Sequence, residues 1–346
     1  MPQPPRRLPA LANTAPVWRR SWIAVARAAD VPDNTPVQVL LAGDAWVLTR
    51  MDGVLTAFDD HCPHQQSPLS AGSVSRAEDG SARLLCAFHG WRFDPAGQCD
   101  LMPEEDRGHG GGHHHHHRWH GKRAGHHRQG DRGPHALGTS LRAAHGVVER
   151  YGLIWLAADE PRAPLPEFPE WEDGAAGRAA GQGVTVRASA GQVIDGFLGR
   201  AAGAEAGAVT ADEWRVTGTF VRADRAGLVI KTAGPHASAH VRLELAAATI
   251  GMLVSCQPED WGTTRVYQLI AHSGLASGTA AMAEFARDEA RALAADLAAA
   301  EGLAAAAGPL GPGREVPGGQ PAGPRASQLS VAWRRLMAKA AGLPPG

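Results

Sequence analysis

Residues 62–64 read Cys62-Pro63-His64, and residues 86–91 read Cys86-Ala87-Phe88-His89-Gly90-Trp91. Each short run offers one cysteine and one histidine, and 21 residues separate His64 from Cys86. Four soft-to-borderline ligands converging from two tight turns make a metal site. Pro63 stiffens the first turn, and Gly90 permits close backbone approach in the second. Two occupants suit the set. Zinc takes two thiolates and two imidazoles around one ion. A [2Fe–2S] cluster takes two cysteines on one iron and two histidines on the other.

Working outward, short β-type runs precede the first ligand pair: Trp22–Ala26, Val37–Leu41, Ala45–Thr49 and Val54–Phe58, punctuated by Asp33-Asn34, Gly43-Asp44 and Asp52-Gly53. Leu69 to Leu85 reads as a hairpin with its tip at Ala77-Glu78-Asp79-Gly80. The apolar run Val147–Ala157 adds a further strand. Together these predict a small antiparallel β domain over residues 16–160.

Residues 107–135 interrupt it. Ten of the 17 histidines fall there, among Gly and Arg and almost no apolar residues. Such a composition cannot build a packed core and predicts a disordered insert. It is either a weak, promiscuous metal-binding tract, a solvated loop without a role, or the product of a shifted reading frame, since the composition changes abruptly at both ends. Residues 161–170 are proline-rich and predict a semi-rigid linker. Beyond it, strands are expected at Trp214–Val221, Leu228–Lys231, His240–Leu245, Gly251–Cys256 and Thr264–Ile270. A helix is expected from Ala280 to Gly302, with Met282, Phe285, Glu289, Leu293 and Leu297 along one face. Gly308–Pro324 reads as a loop. A last amphipathic helix, Ser327–Ala341, carries Leu329, Trp333, Leu336 and Met337 on one side. The fold class is α+β: an all-β N-terminal domain, then residues 171–346 as an antiparallel sheet closed by long helices.

The runs CPHQQSPLSAGSV, LLCAFHGWRFDPAGQC, VVERYGLIWLA and PEDWGTTRVYQLIA together resemble the α subunit of Rieske non-haem iron oxygenases, of the ring-hydroxylating or demethylating type. The Cys-x-His order, the flanking β runs and HGWRFDPAGQC argue against zinc. The resemblance implies a [2Fe–2S] centre held by Cys62, His64, Cys86 and His89, with Trp91 shielding it. Neutral imidazoles add no negative charge, so such a centre is easier to reduce than an all-cysteine one, at about −150 to +300 mV against about −400 mV for plant-type ferredoxins. The resemblance also implies a helix-grip C-terminal domain with a mononuclear Fe(II) and a trimeric assembly. It implies electrons arriving from an NAD(P)H-dependent reductase or ferredoxin and crossing between neighbouring subunits.

The pattern breaks at the second iron. In the family a helix reading roughly Asp-Asn-Phe-Leu-Asp-x-x-His-x-x-x-x-His supplies two ligands, and a carboxylate the third. Here the segment starts at Asp195 with Phe197-Leu198, but Gly199 stands at the bridging Asp, Ala202 at the first His and Gly207 at the second. No histidine lies between His145 and His236. Asp288 is the candidate third ligand, and one carboxylate cannot hold Fe(II) against water. His236 and His240 are the nearest alternatives, expected at a strand entry rather than on the ligand helix. Three readings follow: an oxygenase, a catalytically impaired homologue donating electrons within a mixed ring, and a module binding an apolar ligand in the helix-grip cavity.

The bulk numbers exclude other classes. A net charge of −1 asks for neither nucleic acid nor an anionic membrane. Of four cysteines, Cys62 and Cys86 belong to the site, and Cys99 and Cys256 are scattered. That is no disulfide framework, and it points to a reducing cytoplasm. The N-terminal residues carry no apolar run of secretory type, and no stretch approaches the roughly 18 apolar residues of a membrane span.

Overall fold

The computed structural model describes residues 12–103, 139–174, 176–199, 204–222, 227–246, 248–274, 280–306 and 328–343. The histidine-rich tract expected to be a disordered insert lies outside them, as does the loop expected at 308–324. Contacts divide the chain into two compact units: one of residues 1–30, 39–45 and 144–346, the other of residues 31–38 and 46–143.

In chain order the N-terminal elements are helix α1 (Pro16–Arg19) and strands β1 (Ile23–Arg27), β2 (Val37–Leu41), β3 (Asp44–Met51), β4 (Val54–Asp59), β5 (Ser73–Arg76), β6 (Ala82–Leu85), β7 (Arg92–Phe93) and β8 (Cys99–Leu101). β9 (Gly146–Arg150) and β10 (Leu153–Ala157) follow. They form three sheets, ordered β2-β3-β4, β5-β6-β7-β8 and β1-β10-β9. Three two-residue turns set the pairing: Ala42-Gly43, Asp52-Gly53 and Tyr151-Gly152 each carry positive φ at both positions. That is the signature of type I′ turns, whose twist matches the flanking strands. The unit of residues 46–143 is centred on Val47, Met51, Phe58, Leu69, Leu84, Phe93 and Leu141, with Cys62, Cys86, Trp91 and Cys99 in the same buried cluster. The expected ligand stretch is therefore core as well as site.

The other unit contains α2 (Pro169–Glu172), β11 (Gly177–Ala180), β12 (Val184–Val186), α3 (Ala190–Gly199), β13 (Ala204–Ala211), β14 (Val216–Arg222), β15 (Gly227–Ala233), β16 (Ser238–Glu244), β17 (Thr249–Pro258), β18 (Thr264–Ser273), α4 (Ala280–Ala306) and α5 (Gln328–Ala340). Its sheet runs β11-β18-β17-β16-β15-β14-β13, with β12 also on β18. β17 is almost wholly buried, which suits its apolar run IGMLV, a strand covered on both faces. One face packs on Tyr151, Leu153, Trp155 and Phe168 through Leu253 and Leu269. Trp333 of α5 donates to the Gly234 carbonyl at 2.9 Å, and Leu293 and Leu297 of α4 are buried.

Two expectations change here. β1, β9 and β10, which the sequence groups with the N-terminal domain, pack with the long sheet instead, because Ala24, Leu153 and Trp155 share a core with Leu253 and Tyr267. In the 161–170 stretch expected to be a semi-rigid linker, Phe168 and Glu170 are buried, and the Phe168 amide donates to the Tyr151 hydroxyl at 3.0 Å. The strands expected between Trp214 and Ile270 are all present with small shifts at their ends, and α4 runs four residues beyond Gly302. No described helix is long and apolar enough to cross a membrane.

Gly72, at the start of β5, sits against the backbone beside the second ligand loop: a Cβ there would lie 2.1 Å from the Leu85 carbonyl oxygen. Backbone cannot yield as a side-chain tip does, so Gly72→Ala should cost about 3 kcal/mol. A lowered thermal midpoint in the purified variant checks this.

Candidate metal centre

The two ligand runs fold into equivalent loops. In the first, the Cys62 amide donates to the Ser67 carbonyl at 2.8 Å, and the Gln66 amide returns to the Cys62 carbonyl at 2.8 Å. In the second, the Cys86 amide donates to the Trp91 carbonyl at 2.8 Å, and the Gly90 amide returns to the Cys86 carbonyl at 3.2 Å. Each loop needs a left-handed residue four positions after its cysteine. Gly90 supplies one with φ 71°, and Gln66 adopts φ 58° despite its side chain.

The loops bring the four expected residues together in cross-braced pairs. The His64 and His89 rings meet edge-on with centroids 4.7 Å apart, and Trp91 stacks on His64 at 4.9 Å and 8° between planes. From the first loop, the Ser67 hydroxyl lies 3.4 Å from Cys86 Sγ. Both cysteines are buried and free of disulfides. Burial pushes the Cys62 thiol up to about 12; the neighbouring Cys86 and Cys99 add to the rise, and a hydrogen bond with the His64 backbone opposes it. Phe88, between the second pair of ligands, is 63% exposed.

Asp60 fixes the entry to the first loop. It is buried and accepts hydrogen bonds from the Ser70 amide at 2.7 Å, the Ser70 hydroxyl at 2.6 Å and Gln38 Nε2 at 2.6 Å. Its adjacent residues, Asp59 and His61, pair with each other at the surface. Residue type alone marks neither Asp60 nor Ser67 as part of the site. The signal for Ser67 is positional: it stands five residues after its cysteine, as Trp91 does in the second loop.

The donor set fits a two-iron cluster. His89 Nδ1 is buried without a hydrogen-bond partner among the described residues, which a native protein rarely leaves unanswered. Among the described residues, no three Cys, His, Asp or Glu side chains converge on a single point. A [2Fe–2S] centre asks for no such point, because each iron takes only two protein ligands.

The residues expected around a second iron are dispersed. α3 ends at Gly199, and β13 begins at Ala204. Gly207 therefore lies in a strand, between the paired positions Ala206 and Val209 where the register shifts; Ala202 is outside the described residues. Asp288 is part-exposed on α4, 3.8 Å from Arg291. His240 Nε2 lies 2.9 Å from Glu170. Burial pushes the Glu170 carboxyl up, but the hydrogen bond and charge of His240 outweigh it and leave it below the usual range. His236 lines a cavity of about 290 Å³ with His240, Trp214 and Leu253, and burial pushes its imidazole down to about 4. Asp195, the first residue of the expected motif, is buried beneath α5, where it accepts from Ser330 and from Arg334 Nε at 2.8 Å.

Residues 21–118 match the family model of the Rieske [2Fe-2S] domain, so the chain carries such a domain. It is 38% identical over 89 residues to pheophorbide a oxygenase of Arabidopsis thaliana, covering 25% of this chain and 16% of that enzyme. It is 39% identical over 75 residues to methylxanthine N3-demethylase NdmB of Pseudomonas putida, covering 22% of this chain and 21% of that one. The alignments thus span about a fifth or less of these curated relatives. The solved NdmB structure from Pseudomonas putida superposes with a TM-score of 0.73 at 16% identity, over 97% of this chain and 95% of that one. The whole α+β fold is therefore shared, an N-terminal Rieske domain with an antiparallel-sheet C-terminal part.

Two outcomes test this geometry. Gln66→Gly should stabilise the chain by about 0.5–1 kcal/mol, since the left-handed cost of a side chain exceeds the entropic cost of glycine; a higher thermal midpoint checks it. His236 titrates near 6.5 when unfolded and about 4 when folded, so the unfolded chain binds more protons between those values. Its contribution is fully present above 6.5 and is lost as pH falls towards 4, by on the order of 3 kcal/mol. His236→Gln should flatten that part of a stability-against-pH curve.

Proposed function

We propose that this chain, with its Rieske [2Fe-2S] domain, is an oxidoreductase of the Rieske non-haem iron oxygenase type that takes up single electrons from an NAD(P)H-dependent reductase or ferredoxin. Cys62 and Cys86 would hold one iron of its cluster, and His64 and His89 the other. The observation that carries this reading is the pair of equivalent loops, which set two buried thiols and two touching imidazoles side by side, one imidazole with an unanswered buried nitrogen. When bound, such a cluster would supply one-electron transfer.

The protein's own residues do the rest. Burial of Cys62 and Cys86 excludes water from the thiolate side, and Trp91 covers one face of the His64 ring. The exposed Phe88 beside His89 leaves the imidazole side nearer the surface, the side from which an electron donor would approach.

A second reading is favoured by the start of β13 at Ala204. With Gly207 in a strand and Asp288 beside Arg291, the described residues offer no two-histidine, one-carboxylate set of the kind that holds a mononuclear iron. On this reading the chain is an impaired homologue that passes electrons to an intact subunit in a mixed ring. The cavity lined by Trp214, Leu253 and the 163–169 stretch suits an apolar-ligand module as its lesser variant.

The purified protein should contain two irons and two acid-labile sulfides per chain, with a Rieske-type EPR signal on reduction. Stoichiometric zinc without sulfide would overturn the reading. A third iron, lost in Asp288→Ala, would decide for the intact oxygenase over the electron-passing homologue.

A further inference from the structure

We infer that the Ser67 hydroxyl is a potential-setting hydrogen-bond donor to the Cys86 ligand sulfur. The inference rests on the cluster assignment above and deepens it by naming a residue that is not a ligand.

Ser67 is placed by the loop rather than by chance of rotamer. Its carbonyl receives the Cys62 amide at 2.8 Å, the preceding Gln66 amide closes on Cys62 at 2.8 Å, and Pro68 follows directly, which narrows the backbone choices of Ser67. It occupies the position that Trp91 occupies in the second loop. Each of these two residues reaches across to a ligand of the opposite loop: Trp91 to the His64 ring, and Ser67 to Cys86 Sγ at 3.4 Å. In the metal-free chain either partner of the Ser67–Cys86 contact can donate. Once Cys86 is a ligand it is a thiolate with no proton to give, so the hydroxyl alone donates.

The electrostatic sign follows. Reduction adds one electron to the iron–sulfur unit, and part of that charge falls on its sulfurs. A hydrogen bond to a ligand sulfur is stronger when that sulfur is more negative, so it stabilises the reduced state more than the oxidised one and raises the potential. Cys86 is buried, and low local polarity makes a single donor count for more than it would in water.

The experiment uses the full-length, cluster-loaded protein and three forms: the parent, Ser67→Ala and Ser67→Thr. Iron and acid-labile sulfide are measured first. A parent protein without sulfide would overturn the cluster assignment itself, a failure distinct from any shift at Ser67. With two irons and two sulfides in each form, Ser67→Ala should titrate at a lower midpoint potential and Ser67→Thr close to the parent. A fully loaded Ser67→Ala with the parent's potential would overturn the inference. Resonance Raman supplies a second readout. Exchange into deuterated water should shift iron–sulfur stretching bands of the parent more than those of Ser67→Ala; equal shifts would count against the hydroxyl as donor. If Ser67→Ala does not load, the same comparison of Ser67→Thr and Ser67→Cys decides: Ser67→Thr must keep the parent's potential and isotope shift, and Ser67→Cys, a weaker donor, must fall below both.

Discussion

The site depends on a backbone closure made twice. A cysteine amide donates five residues ahead, and the residue before that acceptor returns a hydrogen bond to the cysteine carbonyl. The closure turns each cysteine inward and leaves room for a histidine two or three positions later. Because both loops obey it, the ligands face one another without any help from long side chains. The rest of the unit supports this arrangement: Asp60 holds the first loop to Ser70, and the Leu85 carbonyl abuts Gly72 beside the second.

The other unit is held by different means. Its sheet is antiparallel throughout, with β17 buried on both faces and a helix side fixed by Trp333 to Gly234 and Asp195 to Arg334. These are packing and hydrogen-bond devices that do not presuppose a metal. The Glu170–His240 pair on the opposite face is of the same kind: a buried carboxylate that is tolerable because a partner meets it.

Much of this is legible in the residues, and the limits have physical causes. Cys62, His64, Cys86 and His89 are easy to single out because metal chemistry restricts residue type and short loops restrict spacing, and the loops that carry them do meet. β15 and β16 are readable because alternation has a period of two, and β17 because a continuous apolar run marks a strand covered on both faces. Three things are not. The left-handed Gln66 carries no signal, since glycine is the residue that normally advertises such a position. The start of β13 at Ala204 is unmarked, because an alanine-rich stretch favours helix and pairing with β14 overrides that preference. The placement of β1, β9 and β10 with the long sheet rests on residues distant in sequence sharing one core, such as Ala24 and Leu153 with Leu253, which no local pattern encodes.

Asp195 carries one more consequence. It heads the segment that resembles a metal-binding helix, yet its carboxylate is spent on Ser330 and Arg334 of α5. The start of that segment therefore answers to folding, because Asp195 ties α3 to α5. An alignment that credits the Asp195 column as a remnant of catalysis would be counting a buttress. Histidines grafted at 202 and 207 would meet a strand, not a helix, at the second position, so a helical ligand pair would need the backbone rebuilt as well.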